Sequence, residues 1–259
     1  MTLTTTTTGP VTRITLNRPD KRNAFDDTLI EALIMAFDEA GRREGARVIV
    51  LDAAGKHFSA GADLNWMRAM GTLSADENRA DALRLAALMR AIDRCGKPVI
   101  ARVQGAAYGG ALGLICAADI TVAADDARFC LSEVKLGILP AVISPYVVRA
   151  IGARQARRYF MTAEVIDAAR AGQIGLVHEV VPRARLDDTV EALVAALLDG
   201  APRAQLRARD LAHRADGSAI DEDLIAYSAD LIAELRTGAE GQEGLGAFLE
   251  KRSPNWTTR

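Results

Sequence analysis

The sequence Val103-Gln-Gly-Ala-Ala-Tyr-Gly-Gly-Ala-Leu-Gly113 organises this chain. The apolar residues that lead into it, from Lys97 onward, are bounded by a proline and a glycine and predict a buried strand. The small apolar residues of Ala111 to Ala118 predict a short buried helix. A strand that enters a helix through glycines leaves backbone N–H groups unpaired, and a ligand can approach closely at Gly110. Because the helix dipole favours negative charge there, the turn suits an anion or an oxygen that becomes one.

The glycine run does not fit two common nucleotide-binding motifs. Gly109 and Gly110 are adjacent, so the order is not G-x-G-x-x-G, and no Gly-Lys-Ser/Thr follows. Taken alone, the run is as compatible with a tight, closely packed turn as with a ligand site.

A second segment makes the pattern specific. Gly55-Lys-His-Phe-Ser-Ala-Gly-Ala-Asp-Leu64 follows the apolar strand Val48–Leu51, and it again predicts a strand, a small-residue loop and a helix. Together with the first stretch and Ser132-Glu133, it resembles the crotonase family, the enoyl-CoA hydratases and isomerases. The resemblance covers nearly the whole chain, from Asn17-Arg18-Pro19 to Phe248–Arg252.

The composition excludes several classes of protein. The 259 residues carry a net charge of −2, which argues against nucleic-acid binding through a broad basic face. No stretch reaches the roughly 18 apolar residues of a membrane helix. The N-terminal threonine run, a low-complexity segment, lacks the features of a signal peptide, so we expect a cytoplasmic location. Three cysteines without close pairs, and three histidines without ligand spacing, predict neither disulfides nor a metal site.

Strands and helices alternate with short connections through the first two thirds of the chain. This predicts an α/β fold with mostly parallel strands and right-handed crossovers. The resemblance implies a crotonase-like ββα spiral core over residues 1–190 and a C-terminal helical region over residues 191–259. From Leu186 onward only helices are expected, and their apolar stripe requires a partner surface. The resemblance implies that this region forms homotrimers, often paired into homohexamers.

The resemblance also implies a coenzyme A thioester as substrate, without a separate cofactor, and an enolate-like intermediate. Matched motif to motif, the backbone N–H groups that stabilise the thioester oxygen are those of Ala62 and Gly110. Each ends a strand, and each opens a helix. The Ala141 N–H matches a position that helps to hold the catalytic water.

The acids depart from the family pattern. Two-glutamate hydratases carry one glutamate three residues past the second glycine and another twenty residues further on. The second is Glu133, whereas Gly113 occupies the first position and leaves space there. Either Glu133 works alone, or hydration is absent and the site performs other acyl-CoA chemistry. Glu133 as a surface carboxylate on a β-turn is a further alternative.

A narrower resemblance favours a single working acid. Phe129 to Val148 resembles bacterial methylglutaconyl-CoA hydratase-like enoyl-CoA hydratases, which implies an acyl group with its own carboxylate. Arg68 or Lys135 would pair with that carboxylate. The residues expected at the CoA-thioester site are Lys21, Arg22, Ala24, Ala60, Gly61, Ala62, Asp63, Leu64, Gly109, Gly110, Gly113 and Lys251.

The resulting interpretation is an enoyl-CoA hydratase. The alternatives are another crotonase-fold enzyme, such as an isomerase, thioester hydrolase or decarboxylase, and a non-catalytic CoA-binding or RNA-binding homologue. Retention of Glu133 argues against the non-catalytic alternative, and the balanced charge argues against RNA.

Overall fold

The fold is seen in a computed structural model that describes residues 2–257. Within that range the strands are β1 (Leu3–Thr8), β2 (Val11–Leu16), β3 (Val48–Ala53), β4 (Val99–Val103), β5 (Ala106–Tyr108), β6 (Ile120–Ala124), β7 (Arg128–Cys130), β8 (Ile166–Asp167) and β9 (Glu179–Val181). The α-helices are α1 (Asp27–Arg42), α2 (Leu64–Met70), α3 (Ala75–Asp93), α4 (Ala111–Ala117), α5 (Ser144–Thr162), α6 (Ala168–Gln173), α7 (Leu186–Asp199), α8 (Pro202–Ala215), α9 (Glu222–Thr237) and α10 (Ala239–Glu250).

The larger sheet has the strand order β1-β2-β3-β4-β6-β9. All of its pairs are parallel except β1 with β2, which agrees with the predicted α/β class. Every residue of β3 is buried, and its apolar side chains from Val48 to Leu51 form the centre of the core. Strands buried on both faces are typical of parallel sheets covered by helices.

The low-complexity threonine run near the N-terminus forms strand β1. Residues of β1 pair with β2 from Leu3 opposite Leu16 to Thr8 opposite Val11. Threonine is β-branched and favours the extended backbone, which explains why a polar run forms an edge strand.

The chain changes sheets at Gly105, inside the stretch that organises the sequence. β4 belongs to the large sheet, whereas β5 belongs to a smaller sheet of order β5-β7-β8. Gly105 has φ +60°, and a Cβ built there would lie 2.2 Å from the Lys56 carbonyl oxygen. Only glycine fits this bend. Strand β4, the bend, strand β5, the glycine turn and helix α4 therefore form one ββα unit.

The chain divides into two compact units, Met1–Ala192 and Leu193–Arg259. The first contains both sheets and helices α1 to α6. In the second, the described residues form helices and one short 3-10 helix, as expected for the region after Leu186. The change of unit falls within α7, two residues beyond the expected boundary of 190/191. Across residues 2–257, no helix is long and apolar enough to cross a membrane.

Candidate active site

The two small-residue loops lie side by side. The Ser59 N–H donates to the Ala106 carbonyl at 3.0 Å, and the Tyr108 N–H donates to the Ser59 carbonyl at 3.0 Å. Gly61 has φ +89°, and a Cβ built there would lie 2.9 Å from the Tyr108 carbonyl oxygen. The glycine is required because the loops approach so closely.

Phe25 holds the first loop from the other side. Its N–H donates to the Gly61 carbonyl at 2.8 Å, and its carbonyl accepts from the Asp63 N–H at 2.7 Å. Ala62, between these two anchored residues, is exposed, and its N–H has no acceptor among residues 2–257. The bridge to Phe25 therefore leaves one fixed, accessible backbone donor.

The second loop presents a similar donor. The Gly109 N–H donates to the Cys130 carbonyl at 2.8 Å, whereas the Gly110 N–H has no acceptor in the described part of the chain. Helix α4 follows at once and is buried along its whole length, as the sequence predicted. Both donors expected to hold a thioester oxygen are thus unpaired, on loops that are hydrogen-bonded to each other.

The carboxylate of Glu133 lies beside the glycine turn. Its Oε1 would lie 3.5 Å from a Cβ built at Gly109. Its Oε2 is buried and has no hydrogen-bond partner among the described residues. Burial raises the pKa of this carboxyl above its ordinary value, because the charged form loses solvation. A solvated surface turn does not describe this group, although the residue as a whole is only half-buried.

The position of the missing acid is filled. A Cβ built at Gly113 would lie 2.3 Å from Ile143 Cγ2 and 2.7 Å from Met89 Sδ. The prediction that Gly113 leaves free space is therefore wrong, because these two apolar side chains occupy the volume that an acid would need.

One further expectation does not agree with the geometry. The Ala141 N–H donates to the Leu139 carbonyl at 2.8 Å, so in this conformation it is not available to hold water. Lys135 Nζ donates to the Ala163 carbonyl at 3.0 Å and ties two segments together. Arg68, on exposed α2, has no ion-pair or hydrogen-bond partner among residues 2–257.

The basic pair near the N-terminus lies next to the Ala62 loop. Lys21 and Arg22 are exposed, and the Arg22 carbonyl accepts from the Ala60 N–H at 2.9 Å. Ala24 is buried. Gly109 and Gly113 are buried, Leu64 is exposed, and Lys251 is an exposed residue at the end of α10 in the second unit.

Asp63 acts as a helix cap. Its Oδ1 accepts from the N–H groups of Asn65 at 2.9 Å and Trp66 at 3.4 Å. These bonds, the Asn65 one foremost, lower the pKa of the carboxyl. Asp63 therefore fixes the start of α2, directly after the Ala62 donor.

Two histidines and one cysteine have structural surroundings: His178 is exposed, His57 is half-buried, and Cys116 is buried. His57 Nδ1 accepts from the Ala106 N–H at 3.1 Å, and burial lowers the pKa of this ring. His178 Nδ1 accepts from the Thr121 N–H at 3.0 Å. Burial raises the pKa of the Cys116 thiol to about 12, as fits an inert core residue.

Sequence reasoning did not assign roles to three residues that support the first loop. Phe25 anchors Gly61 and Asp63. Asn23, buried and in the left-handed region with φ 54°, donates from its amide to the carbonyls of Ala54 and His57, each at 2.9 Å. Arg18 was quoted only as part of a motif. The sequence did offer one signal for Asn23. It closely follows Pro19-Asp20, and asparagine tolerates the left-handed backbone conformation that tight turns require.

Known proteins with similar sequences and structures are enoyl-CoA hydratases and related enzymes. The family model described as enoyl-CoA hydratase/isomerase matches residues 6–259. A solved enoyl-CoA hydratase from Shewanella pealeana is 46% identical, with TM-score 0.96, over 99% of this chain and 96% of that chain. A solved enoyl CoA hydratase/isomerase (crotonase) structure from Legionella pneumophila is 49% identical, with TM-score 0.93, over 98% of each chain. The 2,3-dehydroadipyl-CoA hydratase of Escherichia coli K12 is 33% identical over 95% of this chain and 94% of its own length.

Proposed function

The chain belongs to the enoyl-CoA hydratase/isomerase family, and on this premise we propose that it adds water across the double bond of a 2-enoyl-CoA thioester. The observation that carries the proposal is the buried, unpartnered Oε2 of Glu133 beside the glycine turn. Buried polar atoms without partners are costly, and their presence calls for a ligand or water that completes them.

The proposed reaction uses two backbone donors and one acid. The thioester oxygen accepts from the N–H groups of Ala62 and Gly110, which draws electron density from the double bond. Glu133 takes a proton from water as the water oxygen bonds to C3, and the resulting enolate is held by the two donors. Glu133 then returns the proton to C2, giving a 3-hydroxyacyl-CoA. A single oxyanion donor is worth roughly 3–4 kcal/mol in other enzymes.

The raised pKa of Glu133 suits both steps. A carboxylate with a higher pKa is a better base toward water, and its acid is still able to release the proton to C2. Because Met89 and Ile143 fill the position of a second acid, we assign both steps to this one group. The reaction needs no cofactor, since coenzyme A arrives with the substrate.

We expect the pH–rate profile to report this carboxyl. Hydration requires the ionised form of Glu133, so kcat/KM should fall as the pH drops through its raised pKa, at a pH above the ordinary glutamate range. Stopped assays between acid and neutral pH, in buffers of constant ionic strength, measure the pH at which the acidic limb of the kcat/KM profile falls. A limb at the ordinary glutamate pKa would contradict the burial argument.

Recognition of CoA is assigned to the loops next to Ala62. Lys21 and Arg22 are the exposed cations proposed to face the CoA phosphates, and Lys251 is proposed to do so from a neighbouring copy. The segment Ala60 to Leu64, with Ala24, is proposed to line the pantetheine and adenine path. Asp63 contributes by capping α2.

We propose that the acyl group carries its own carboxylate, with 3-methylglutaconyl-CoA or a related branched compound as the substrate. The resemblance of Phe129 to Val148 supports this, and so does the name of the E. coli relative, which specifies a dicarboxylic acyl group. Arg68 is the proposed partner, because it has no partner among residues 2–257, whereas Lys135 Nζ already donates to the Ala163 carbonyl.

Arg68→Ala should therefore reduce selectivity. A hydrogen-bonded ion contact is worth about 1.5–3 kcal/mol, so kcat/KM for 3-methylglutaconyl-CoA should fall about tenfold or more. The value for crotonyl-CoA should stay nearly unchanged. Arg68→Lys keeps the charge and serves as the matched control. Equal losses on both substrates, or no loss on either, would remove Arg68 from this role.

We also propose a homotrimer or homohexamer. The second unit exposes large apolar side chains, including Ile220 at 88% before α9, and Phe248 at 80% and Leu249 at 78% on α10. Exposed apolar surface of this kind marks an association site. Sedimentation velocity at micromolar concentration should show a trimer or hexamer, and a stable monomer would refute the proposal. The cytoplasmic location stays a prediction.

The reaction type is tested with a panel of enoyl-CoA thioesters that includes 3-methylglutaconyl-CoA. Hydration removes the absorbance of the conjugated thioester, and the panel ranks the acyl groups by kcat/KM. CoA-ester binding without turnover on any member would favour the non-catalytic alternative.

A further inference from the structure

Arg18 lies behind the Ala62 loop at the meeting point of several anchors. Its side chain is only 11% exposed. Nη1 donates to the Ala24 carbonyl at 3.2 Å and to Asp26 Oδ2 at 2.5 Å. Nη2 lies 3.7 Å from Asp63 Oδ2. The guanidinium thus contacts both the segment around Phe25 and the residue that follows Ala62.

These contacts surround the Ala62 donor. Phe25, between Ala24 and Asp26, bonds to Gly61 and Asp63, the two neighbours of Ala62. Arg18 contacts Ala24, Asp26 and Asp63 at once. A shift of the guanidinium would therefore move the backbone segments that fix the position of the Ala62 N–H. Among residues 2–257, the side-chain contacts of Arg18 are with Ala24, Asp26 and Asp63, so it acts through other residues.

The charges make Arg18 hard to replace. Asp26 caps α1 through Leu29 N–H, and Asp63 caps α2, so both carboxylates are fixed near the guanidinium. The other cation here, Lys21, has a side chain that is 54% exposed and lies 3.4 Å from Asp63 Oδ2. Because the lysine end is exposed to water, its attraction to Asp63 is weakened by solvent. The planar fork of arginine presents its donors in a fixed geometry, which the compact ammonium of lysine does not reproduce.

We propose that Arg18 is a positioning residue for the oxyanion site, fixing the direction of the Ala62 N–H and thereby the polarisation of the thioester oxygen. This inference rests on the proposed function, because it requires the thioester oxygen to bind at Ala62. If Arg18 served the fold alone, its loss would lower stability and leave the polarisation of bound thioester unchanged.

The test compares Arg18→Met with Arg13→Met. Arg13 is also a partly buried arginine with an aspartate partner, Asp52 Oδ2 at 2.7 Å, but its ion-pair partners, Asp52 and Glu191, lie outside the Ala62 loop. The probe is cinnamoyl-CoA, whose absorbance moves to longer wavelength when its carbonyl is polarised. Saturation is established by titration for each variant, and kcat, KM and thermal melting are measured alongside.

For Arg18→Met we expect the red shift to shrink by at least half, and kcat to fall about tenfold, which is about 1.4 kcal/mol, while KM changes little. Arg13→Met should keep the wild-type red shift and kcat even where its melting temperature falls. A full red shift and full kcat in Arg18→Met would overturn the inference and leave the proposed function standing. A saturated wild type without a red shift would overturn both.

Asp26→Asn gives a second route if Arg18→Met does not fold. Asparagine keeps an oxygen for the Leu29 N–H, so the cap of α1 is retained, but the charge that Arg18 binds is lost. A smaller red shift and a lower kcat are expected, and wild-type values for both would overturn the inference.

Discussion

Replacing Glu133 by Gln is expected to slow hydration by about a hundredfold or more, because the amide cannot accept the proton of water. The shape of the side chain is nearly unchanged, and the donors at Ala62 and Gly110 belong to the backbone. Binding of CoA esters should therefore stay close to wild type. Stopped-time hydration assays and titration with a saturated acyl-CoA measure the two quantities separately.

The stability of Glu133→Gln serves as its internal control. A carboxyl whose folded pKa is raised contributes stability at low pH that is lost as the pH rises through that pKa. At neutral pH the folded protein therefore carries the cost of a buried, unpartnered carboxylate, which glutamine reduces. The variant should melt at the same temperature as wild type or higher. Glu31→Gln, on the exposed face of α1, is the matched control and should keep full activity. Near-full hydration by Glu133→Gln would remove this carboxylate from the mechanism.

Gly113→Glu is expected to prevent stable folding and not to add a second catalytic acid. The first carbon of the new side chain would overlap Ile143 and Met89, at 2.3 Å and 2.7 Å. Overpacking of a core costs about 1–3 kcal/mol or more, and a buried charge without a partner adds several kcal/mol. Together these approach the whole stability of a typical domain.

Gly246→Glu is the matched control, because it places the same side chain on helix α10, where a Cβ would meet, among residues 2–257, only the end of Arg252 at 3.9 Å. Soluble yield, circular dichroism and thermal melting compare the two variants. Gly113→Ala should melt at a lower temperature than wild type, since the added Cβ alone is too close. A well-folded Gly113→Glu enzyme with faster hydration would show that the space exists and that the single-acid account is wrong.

Local patterns explain what could be predicted from the sequence. The glycine turn, buried α4 and the parallel strands follow from apolar runs interrupted by small residues, and each is present. The two loops that carry Ala62 and Gly110 were expected to act together, and hydrogen bonds through Ser59 do join them.

What could not be predicted depends on contacts between distant segments. The apolar filling at Gly113 comes from Met89 and Ile143, which lie on other elements, so a missing side chain was interpreted as open space. Lys135 bonds to the Ala163 carbonyl and Ala141 to the Leu139 carbonyl. Both residues lie in a segment without a periodic sequence pattern, so these contacts could not be predicted. The threonine strand lacks apolar alternation, and its pairing with β2 is visible only in the fold. The role proposed for Arg18 depends on the Ala24 carbonyl and the carboxylates of Asp26 and Asp63 lying around one guanidinium, which the sequence does not reveal.

The central claim, that this site adds water to a 2-enoyl-CoA, is tested most directly by isotope labelling. The wild-type enzyme is incubated with 3-methylglutaconyl-CoA or crotonyl-CoA in water enriched in oxygen-18, and separately in deuterium oxide, and the CoA esters are analysed by mass spectrometry. We predict one labelled oxygen at C3, one deuterium at C2, and loss of the conjugated absorbance with the thioester intact. Release of free CoA thiol, or a moved double bond without labelled oxygen, would contradict the account.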